Sequence, residues 1–389
     1  MPIRFMTAGE SHGPAVTAIL EGIPAGLELN VSLVDEELAR RQKGFGSGGR
    51  MKIERDSIEI LSGVMDGKTM GMPISMLVKN LNHKQWQGKE TKAMTAPRPG
   101  HADLTGVVKY GYNDLRPSLE RASARETTMR VAVGAICKQF LAEFGIEVGG
   151  YVRSIGEIDA SLNGNKHKFW FDAAEMNDLR CPDESAAEQM RERIRQIMQE
   201  KDTLGGVIEI VALNVPVGLG SFAQWDTRLE AKLAQAVMSV QAMKGVEIGD
   251  AFANARMPGT QAHDAVTLEG ERLVRPTNRA GGTEGGISNG EPIIIRAAMK
   301  PIASTLTPQK TVDLVSGEET ETTYERSDFC PVPRAVPVLE AVVAIVLADA
   351  LVEKLGGDSL AEMKPRFEAL KQSKLSDIQL DNQPHIFWE

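Results

Sequence analysis

The sequence is poor in cysteine: its 389 residues include only Cys137, Cys181 and Cys330. None belongs to a C-x-x-C pair and the count is odd, which argues against a disulfide framework and a structural zinc site. Reduced thiols in a cytoplasm are the expectation. A surplus of positive charge is also missing, since 44 Lys and Arg stand against 53 Asp and Glu for a net charge of −9. Broad nucleic-acid binding needs a basic face, so no nucleic-acid partner is expected. The opening Met1-Pro2-Ile3-Arg4-Phe5 lacks the apolar core of a signal peptide. The apolar stretch 341–352 is too short to span a bilayer and carries Asp349, so no membrane association is expected either. There is no GxxxxGK[ST], no GxGxxG between strand and helix, and no HExxH, which leaves nucleoside triphosphates, Rossmann cofactors and zincin metals without support.

What is present suits a folded protein. Hydrophobic residues make up 42% and charged residues 25%, enough for a sizeable core. Helical patterns cover 33–42 and 125–144, the second ending at Gly145 as a C-cap. The segment 185–201 is charged except for a stripe of Met190, Ile194 and Ile197, so it should lie on the surface. The apolar segments 229–244 and 336–355 should be buried helices. Runs rich in β-branched residues at 16–19, 58–61, 74–78, 207–211 and 293–295 predict strands.

The two halves of the chain echo one another. GPAVTAILEGIPAGL at 13–27 parallels GGVIEIVALNVPVGL at 205–219, and Lys43-Gly44 parallels Lys244-Gly245. Gly67-x-x-x-Gly71-x-Pro73-Ile74 parallels Gly286-x-x-x-Gly290-x-Pro292-Ile293, and the helix after Arg125 has a counterpart after Arg334. Four echoes in one order predict a duplicated unit of strands and a buried helix. The expected fold is α+β: two antiparallel sheets around central helices, related by an internal pseudo-two-fold. One domain is expected over 1–371, with halves near 1–150 and 202–356 and a C-terminal tail at 372–389.

Two of the six histidines sit in turns suited to chemistry. His12 lies in Gly9-Glu10-Ser11-His12-Gly13 and His101 in Arg98-Pro99-Gly100-His101-Ala102-Asp103, each with a small neighbour and a carboxylate in reach. With an ordinary pKa of about 6.5, histidine exchanges protons near neutrality. Arginines crowd the same kind of turn: Arg40, Arg41, Arg50, Arg98, Arg116, Arg121, Arg125, Arg130 and Arg326. On an acidic protein such enrichment suggests a pocket for a polyanion, with Arg40, Arg116 and Arg130 expected instead as solvated helix positions. The run Arg121-Ala122-Ser123-Ala124-Arg125-Glu126 opens a helix, so its backbone N–H groups could bind an anion, while Ser123 and Glu126 also fit a capping box.

The motifs GESHG, RRQKGFGSGGR, RPGHAD, RASARETTMR, VPVGLG, MKGVEIGDAF, GGTEGGISNG, MKPIAST and ERSD occur in this order across roughly residues 1–355. In this the chain resembles the chorismate synthases. The resemblance implies a β-α-β sandwich, a homotetramer, and a carbon–oxygen lyase acting on a phosphate ester. Its reaction would be the anti 1,4-elimination that turns 5-enolpyruvylshikimate 3-phosphate into chorismate, with reduced FMN and no net redox change. FMN would be held by Arg121, Ala122, Ser123, Gln241, Ala242, Gly285, Lys300, Pro301, Ile302, Ala303, Ser304 and Arg326. Arg41, Arg50, Arg98 and Arg125 would meet the substrate's phosphate and carboxylates. His12 would protonate the departing phosphate, His101 would stabilise the anionic reduced flavin, and Asp328 with Ser11 would help remove the ring proton.

Two positions depart from the family pattern: Ser47 stands where many members have Arg at a position linked to NADP, beside Arg41, and Gln241 where many have Asn. An external flavin reductase is therefore the expected source of reduced FMN. The rival readings are an NADPH-dependent flavin reductase and a non-enzymatic phosphometabolite binder. A binder needs no acid–base pair, and Ser47 speaks against the reductase.

Overall fold

The computed structural model describes residues 1–47, 56–162, 167–325 and 327–387. Along the first part of the chain run β1 (Arg4–Ala8), β2 (Ala15–Glu21), α1 (Val31–Gln42), β3 (Glu59–Ile60), β4 (Val64–Met65), β5 (Lys68–Thr69) and β6 (Ile74–Lys79). There follow α2 (His83–Trp86), α3 (Asp103–Tyr110), α4 (Arg116–Ala122) and α5 (Thr127–Ala142), the last entered through a 3₁₀ turn at Ala124–Glu126. The next stretch holds β7 (Glu147–Ile155), β8 (Ile158–Asp159), α6 (His167–Glu175), α7 (Glu184–Glu200), β9 (Gly206–Leu213), α8 (Leu229–Met238), β10 (Met243–Ile248), α9 (Ala251–Asn254) and α10 (Gly259–Ala262). Four short strands form hairpins, β11 (Thr267–Glu269) with β12 (Arg272–Val274) and β13 (Thr283–Glu284) with β14 (Ile287–Ser288). The chain then runs through β15 (Ile293–Met299), β16 (Lys310–Val312), β17 (Glu319–Glu321), α11 (Val332–Leu355) and α12 (Leu360–Glu368).

Alternation builds the first main sheet. In β2 the buried residues are Val16, Ala18 and Leu20, and in β6 Ile74, Met76 and Val78, one face of each strand. These two pair antiparallel from Ala15↔Lys79 to Leu20↔Ile74, in a sheet of order β1-β2-β6-β3. The second sheet has the order β10-β15-β9-β7-β8, also antiparallel throughout. Read from β7 its order is β7-β9-β15-β10, and β13–β14 precedes β15 as β4–β5 precedes β6.

α5 and α11 carry the core. α5 touches β1, β2 and β6 of the first sheet and β7 of the second, while α11 packs on β7, β9 and α5. Their closest approach is at Gly134, where a Cβ would lie 2.3 Å from the Cβ and 2.5 Å from the Cα of Ala341. Only glycine lets the two helix backbones come so near. α11 is apolar nearly all round, which is the pattern of a helix enclosed by protein. It is 24 residues long, well beyond the expected apolar stretch 341–352, and is long and apolar enough to cross a membrane, but 89% of its most apolar window is buried inside the fold.

A cluster of buried charge sits where α1, α5 and α11 meet. Glu340 of α11, 1% exposed, takes Arg40 in a two-bond contact (2.8 and 3.1 Å) and also Lys138 of α5. Arg40 further binds Glu37 and Glu175. Arg40 is thus no solvated helix position. α11 supplies a buried carboxylate that the local sequence does not announce. Arg130 is likewise tied down, to Glu126 one turn earlier at 2.9 Å.

One expected helix is cut short. The segment 229–244 is helical only to Met238. The chain then turns through Ala242 (φ +67°) and returns as β10, with Met243 opposite Met299 of β15. Leu229, Leu233 and Val237 exhaust the helix stripe, yet Val240 and Met243 continue an apolar spacing, so periodicity hides the break.

Candidate functional site

Turns at the N-terminal ends of α5 and α11 meet the turn after β1, the entry to β10 and the exit of β15 around a cavity of about 930 Å³. Its walls come from both parts of the chain. His12, Arg41, Arg98, His101 and Ser123 stand on one side, and Gln241, Lys300, Ser304, Asp328 and Arg334 on the other.

His12 is clamped by Glu120, the last acidic residue of α4. The carboxylate accepts from the His12 backbone N–H at 2.8 Å and lies 2.7 Å from Nδ1 of its ring. Burial opposes ionisation of Glu120, but the hydrogen bonds from His12 outweigh it and hold the carboxyl below its usual range. An ionised carboxylate only accepts, so Nδ1 carries the proton. Nε2 has no partner among the described residues. The indole of Trp86 lies against the imidazole at 4.7 Å between centroids, and His83 Nδ1 is 2.9 Å from the His12 carbonyl.

His101 has the same arrangement with a different acid. Its Nδ1 is 2.6 Å from Oδ1 of Asp103, which is fully buried at the start of α3. Burial again opposes ionisation, and hydrogen bonds from His101 and Arg98 together with their charge drive Asp103 far below the ordinary carboxylate range. Arg98 grips the same carboxylate through Nε (2.8 Å) and Nη2 (3.0 Å) and reaches Ser304 Oγ through Nη1 (2.9 Å). This links the His101 turn to the segment leaving β15.

Close by, Arg41, Arg125 and Arg334 crowd around the carboxylates of Asp56 and Asp328. Arg125 donates to Asp56 (2.7 Å), Asn80 Oδ1 (2.7 Å) and the Lys79 carbonyl (3.2 Å). Arg41 donates to Thr127 Oγ1 and the Ala124 carbonyl, but its Nη1 stands 3.6 Å from Asp56 with no hydrogen bond. Burial and then the charge of Arg334 press Arg41 well below its ordinary value. Arginine keeps its proton at physiological pH, so this crowding is an unmet demand for negative charge. Arg334 itself pairs with Asp328. Lys300 is lowered by burial and then by Lys244, a second crowded cationic spot on the wall.

The Ser123–Glu126 capping box does not form. Ser123 Oγ accepts from the Arg125 N–H (3.2 Å) and lies 3.2 Å from Ser11 Oγ, while the Glu126 side chain turns to Thr7 and Arg130. Thr7 competes for Glu126 from β1, a contact 119 residues distant in sequence.

Of the residues singled out in the sequence, the cavity gathers Ser11, His12, His101, Asp328, Ala122, Ser123, Gln241, Ala242, Lys300, Ile302, Ala303, Ser304, Arg41, Arg98 and Arg125. Arg116, expected as a solvated helix position, also lines it. Arg121, Gly285, Pro301 and Ser47 are not part of its wall: Arg121 reaches Thr7, and Ser47 Oγ donates to the Gly44 carbonyl at 2.7 Å. Arg50 and Arg326 lie outside the described residues. Glu120, Asp103, Trp86 and Arg334 were not singled out as site residues. Asp103 had a signal, its place two residues after His101, whereas Glu120 lies 108 residues from its partner.

The wall fits a phosphorylated flavin. Gln241 Oε1 is buried without a hydrogen bond, an acceptor in need of a donor, and Ala242 beside it holds a backbone conformation uncommon for a residue with a Cβ. Such strained positions cluster where a ligand is gripped. Crowded cations nearby suit the phosphate. Among the described residues no cluster of three or more His, Cys, Asp or Glu could hold a metal ion.

The family model described as chorismate synthase matches residues 3–352. A chorismate synthase of Sulfurihydrogenibium sp. (strain YO3AOP1) is 50% identical over 388 residues, covering 96% of this chain and 100% of that one. One of Aquifex aeolicus (strain VF5) is 51% identical over 384 residues, covering 94% and 96%. A crystal structure of a chorismate synthase superposes with a TM-score of 0.78 at 46% identity, covering 95% of this chain and 97% of that one.

Proposed function

The chain belongs to the chorismate synthase family and is a lyase of aromatic amino acid biosynthesis, and we propose that it uses reduced FMN in the cavity between its two sheets to eliminate phosphate from 5-enolpyruvylshikimate 3-phosphate. The observation that carries this reading is the pairing of two carboxylate-anchored imidazoles with crowded buried guanidinium ions, of which Arg41 and Arg125 share the single carboxylate of Asp56 and Arg41 keeps one Nη1 without a hydrogen bond.

FMN is held by Ala122, Ser123, Gln241, Ala242 and Lys300 to Ser304, with Arg121, Gly285 and Arg326 completing the set. Arg41, Arg98, Arg125 and Arg50 bind the phosphate and carboxylates of the substrate, where bidentate forks suit both groups. His12, protonated on Nδ1 toward Glu120, delivers a proton from Nε2 to the leaving phosphate. Asp328, with Ser11, helps remove the ring proton, and Arg334 keeps that carboxylate oriented. His101, tied to Asp103, presents a positive edge where negative charge gathers. The reduced flavin, when bound, supplies electron density to the breaking carbon–oxygen bond.

The fold in this reading is a β-α-β sandwich within one domain over 1–371, built from a duplicated unit (halves near 1–150 and 202–356) with a pseudo-two-fold and a short tail at 372–389. The matching strand orders and the matching hairpins before β6 and β15 support it. The protein works as a cytoplasmic homotetramer and receives reduced FMN from a separate reductase. Ser47, engaged with Gly44, supplies no cation for NADP.

The test is anaerobic incubation of the pure protein with the phosphorylated substrate and reduced FMN. Chorismate and inorganic phosphate should form in equal amounts, and NADPH with oxidised FMN alone should give none. No product with reduced FMN, or efficient NADPH-driven turnover, would overturn the reading.

A further inference from the structure

A histidine that donates a proton must be held in one orientation until it does so. At His12 that task falls to one side chain. Glu120 takes the backbone N–H of His12 on Oε2 (2.8 Å) and its ring Nδ1 on Oε1 (2.7 Å), so a single carboxylate fixes the turn and the imidazole together. The backbone does the same in reverse, because the Glu120 carbonyl accepts from the Ser11 N–H at 3.2 Å. Both partners are mostly shielded, with side-chain exposures of 23% for His12 and 14% for Glu120. Among the described residues no other carboxylate is hydrogen-bonded to the ring. The remaining charged or titratable neighbours are Glu10 in its own turn, His83 on α2 against the His12 carbonyl, Lys89 stacked on Trp86 beyond the ring, and Arg116 on α4, whose charge falls on Glu120.

We infer that Glu120 is a positioning residue for the elimination: it fixes the Nδ1–H tautomer of His12 and aims Nε2 at the departing phosphate. The inference rests on the reading of His12 as the proton donor and adds to it the residue that orients it. A fixed negative charge at hydrogen-bonding distance interacts with a charged ring and not with a neutral one, so its removal is read in how the rate depends on pH. Without it the ring is free to turn about χ2. The arrangement is a carboxylate–imidazole dyad in which the carboxylate never touches the substrate, so its effect must pass entirely through His12.

Glu120→Gln preserves size and one acceptor but removes the charge. In single-turnover reactions at saturating substrate and reduced FMN, its rate should fall about 10- to 100-fold, part of the ~10²–10⁴-fold typical of general acid catalysis. The alkaline limb of its pH–rate profile should move about one unit or more toward lower pH. KM for the substrate and the Kd for FMN should change less than about threefold, because Glu120 contacts neither. A brace that served only stability would lower the melting temperature and leave the pH limb in place. The decisive comparison is a double-mutant cycle with His12→Ala. If Glu120 acts through His12, the double variant is no slower than His12→Ala alone. Glu120→Asp, which restores the charge, should return the pH limb toward its original position even if the rate recovers only in part.

Multiplying losses in the double variant would overturn the inference, as would a Glu120→Gln variant with unchanged rate and pH limb. In the second case a slow His12→Ala variant would leave His12 as the acid and remove only the role of Glu120. A His12→Ala variant that reacts at full rate would instead remove the acid itself, and both claims with it.

Discussion

Arg98 and Asp103, five residues apart in one turn, close a two-bond fork in which Nε meets Oδ2 at 2.8 Å and Nη2 meets Oδ1 at 3.0 Å, and Asp103 has no exposed surface. The same Oδ1 holds His101. Removing the charge at 103 therefore strands a buried guanidinium and releases an imidazole at once. Asp103→Asn should lower stability by about 3 kcal/mol, in the range found when one partner of a buried ion pair is removed. It should also weaken binding of substrate or FMN. Chemical denaturation beside fluorescence titration checks both, and an Asp103→Asn protein with unchanged midpoint and affinity would contradict the assignment.

Replacing either histidine separates chemistry from folding. His12→Ala should cut the single-turnover rate by ~10²–10⁴-fold while substrate and FMN still bind. His101→Ala should slow turnover as well and additionally shift the ionisation of bound reduced FMN, read from its absorbance against pH. If both variants melt early yet react at full rate once saturated, these residues only brace their turns.

The ion cluster at the helix crossing is a stability element. Glu340→Ala leaves Arg40 and Lys138 enclosed with no facing carboxylate on α11, although Glu37 remains beside both. A loss of about 3–5 kcal/mol is expected, visible as a lower denaturation midpoint. Glu340→Gln should lose less, because it keeps an acceptor for each cation.

Acid should act through two carboxylates of the site. Glu120 and Asp103 are both depressed in the folded protein, so their contribution is present above their unfolded values of about 4 and drains away as pH falls through the lower folded values. The melting temperature should thus hold between pH 7 and about 5 and fall below about 4. Glu120→Gln and Asp103→Asn should each show a shallower fall over that acid range. An equally steep fall in both variants would place the acid sensitivity elsewhere.

How much of this could be read beforehand depended on distance along the chain. β2, β6, β9 and β15 were legible because β-branched residues cluster in them. β1 escaped notice as an edge strand with Arg4, Met6 and Ala8 exposed. β7 escaped because Gly149 and Gly150 interrupt it, the first lying so close under the Phe171 ring that a Cβ would come within 2.7 Å. The turns of His12 and His101 announced themselves through Gly and Pro, and Asp103 stood beside its histidine. Glu120 gave no local sign, being one acidic residue on a short helix whose meaning depends on a turn 108 residues earlier. Arg40 and Arg41 show the limit most clearly: identical neighbours on α1, one entering the Glu340 cluster and the other the cavity. Only the angle of the helix between its two surroundings separates them.

Because the cavity is walled by groups from both ends of the chain, neither end can be catalytic without the other. His12, the proposed proton donor, arrives with the first strand turn, while Asp328, on the same cavity, arrives more than three hundred residues later. A ribosome finishing this chain therefore releases no activity until the last long helix has docked. Premature termination anywhere before α11 yields an inert fragment rather than a weakened enzyme. The same seam makes the protein a natural candidate for splitting into two separately expressed pieces, whose reunion would be reported by turnover itself.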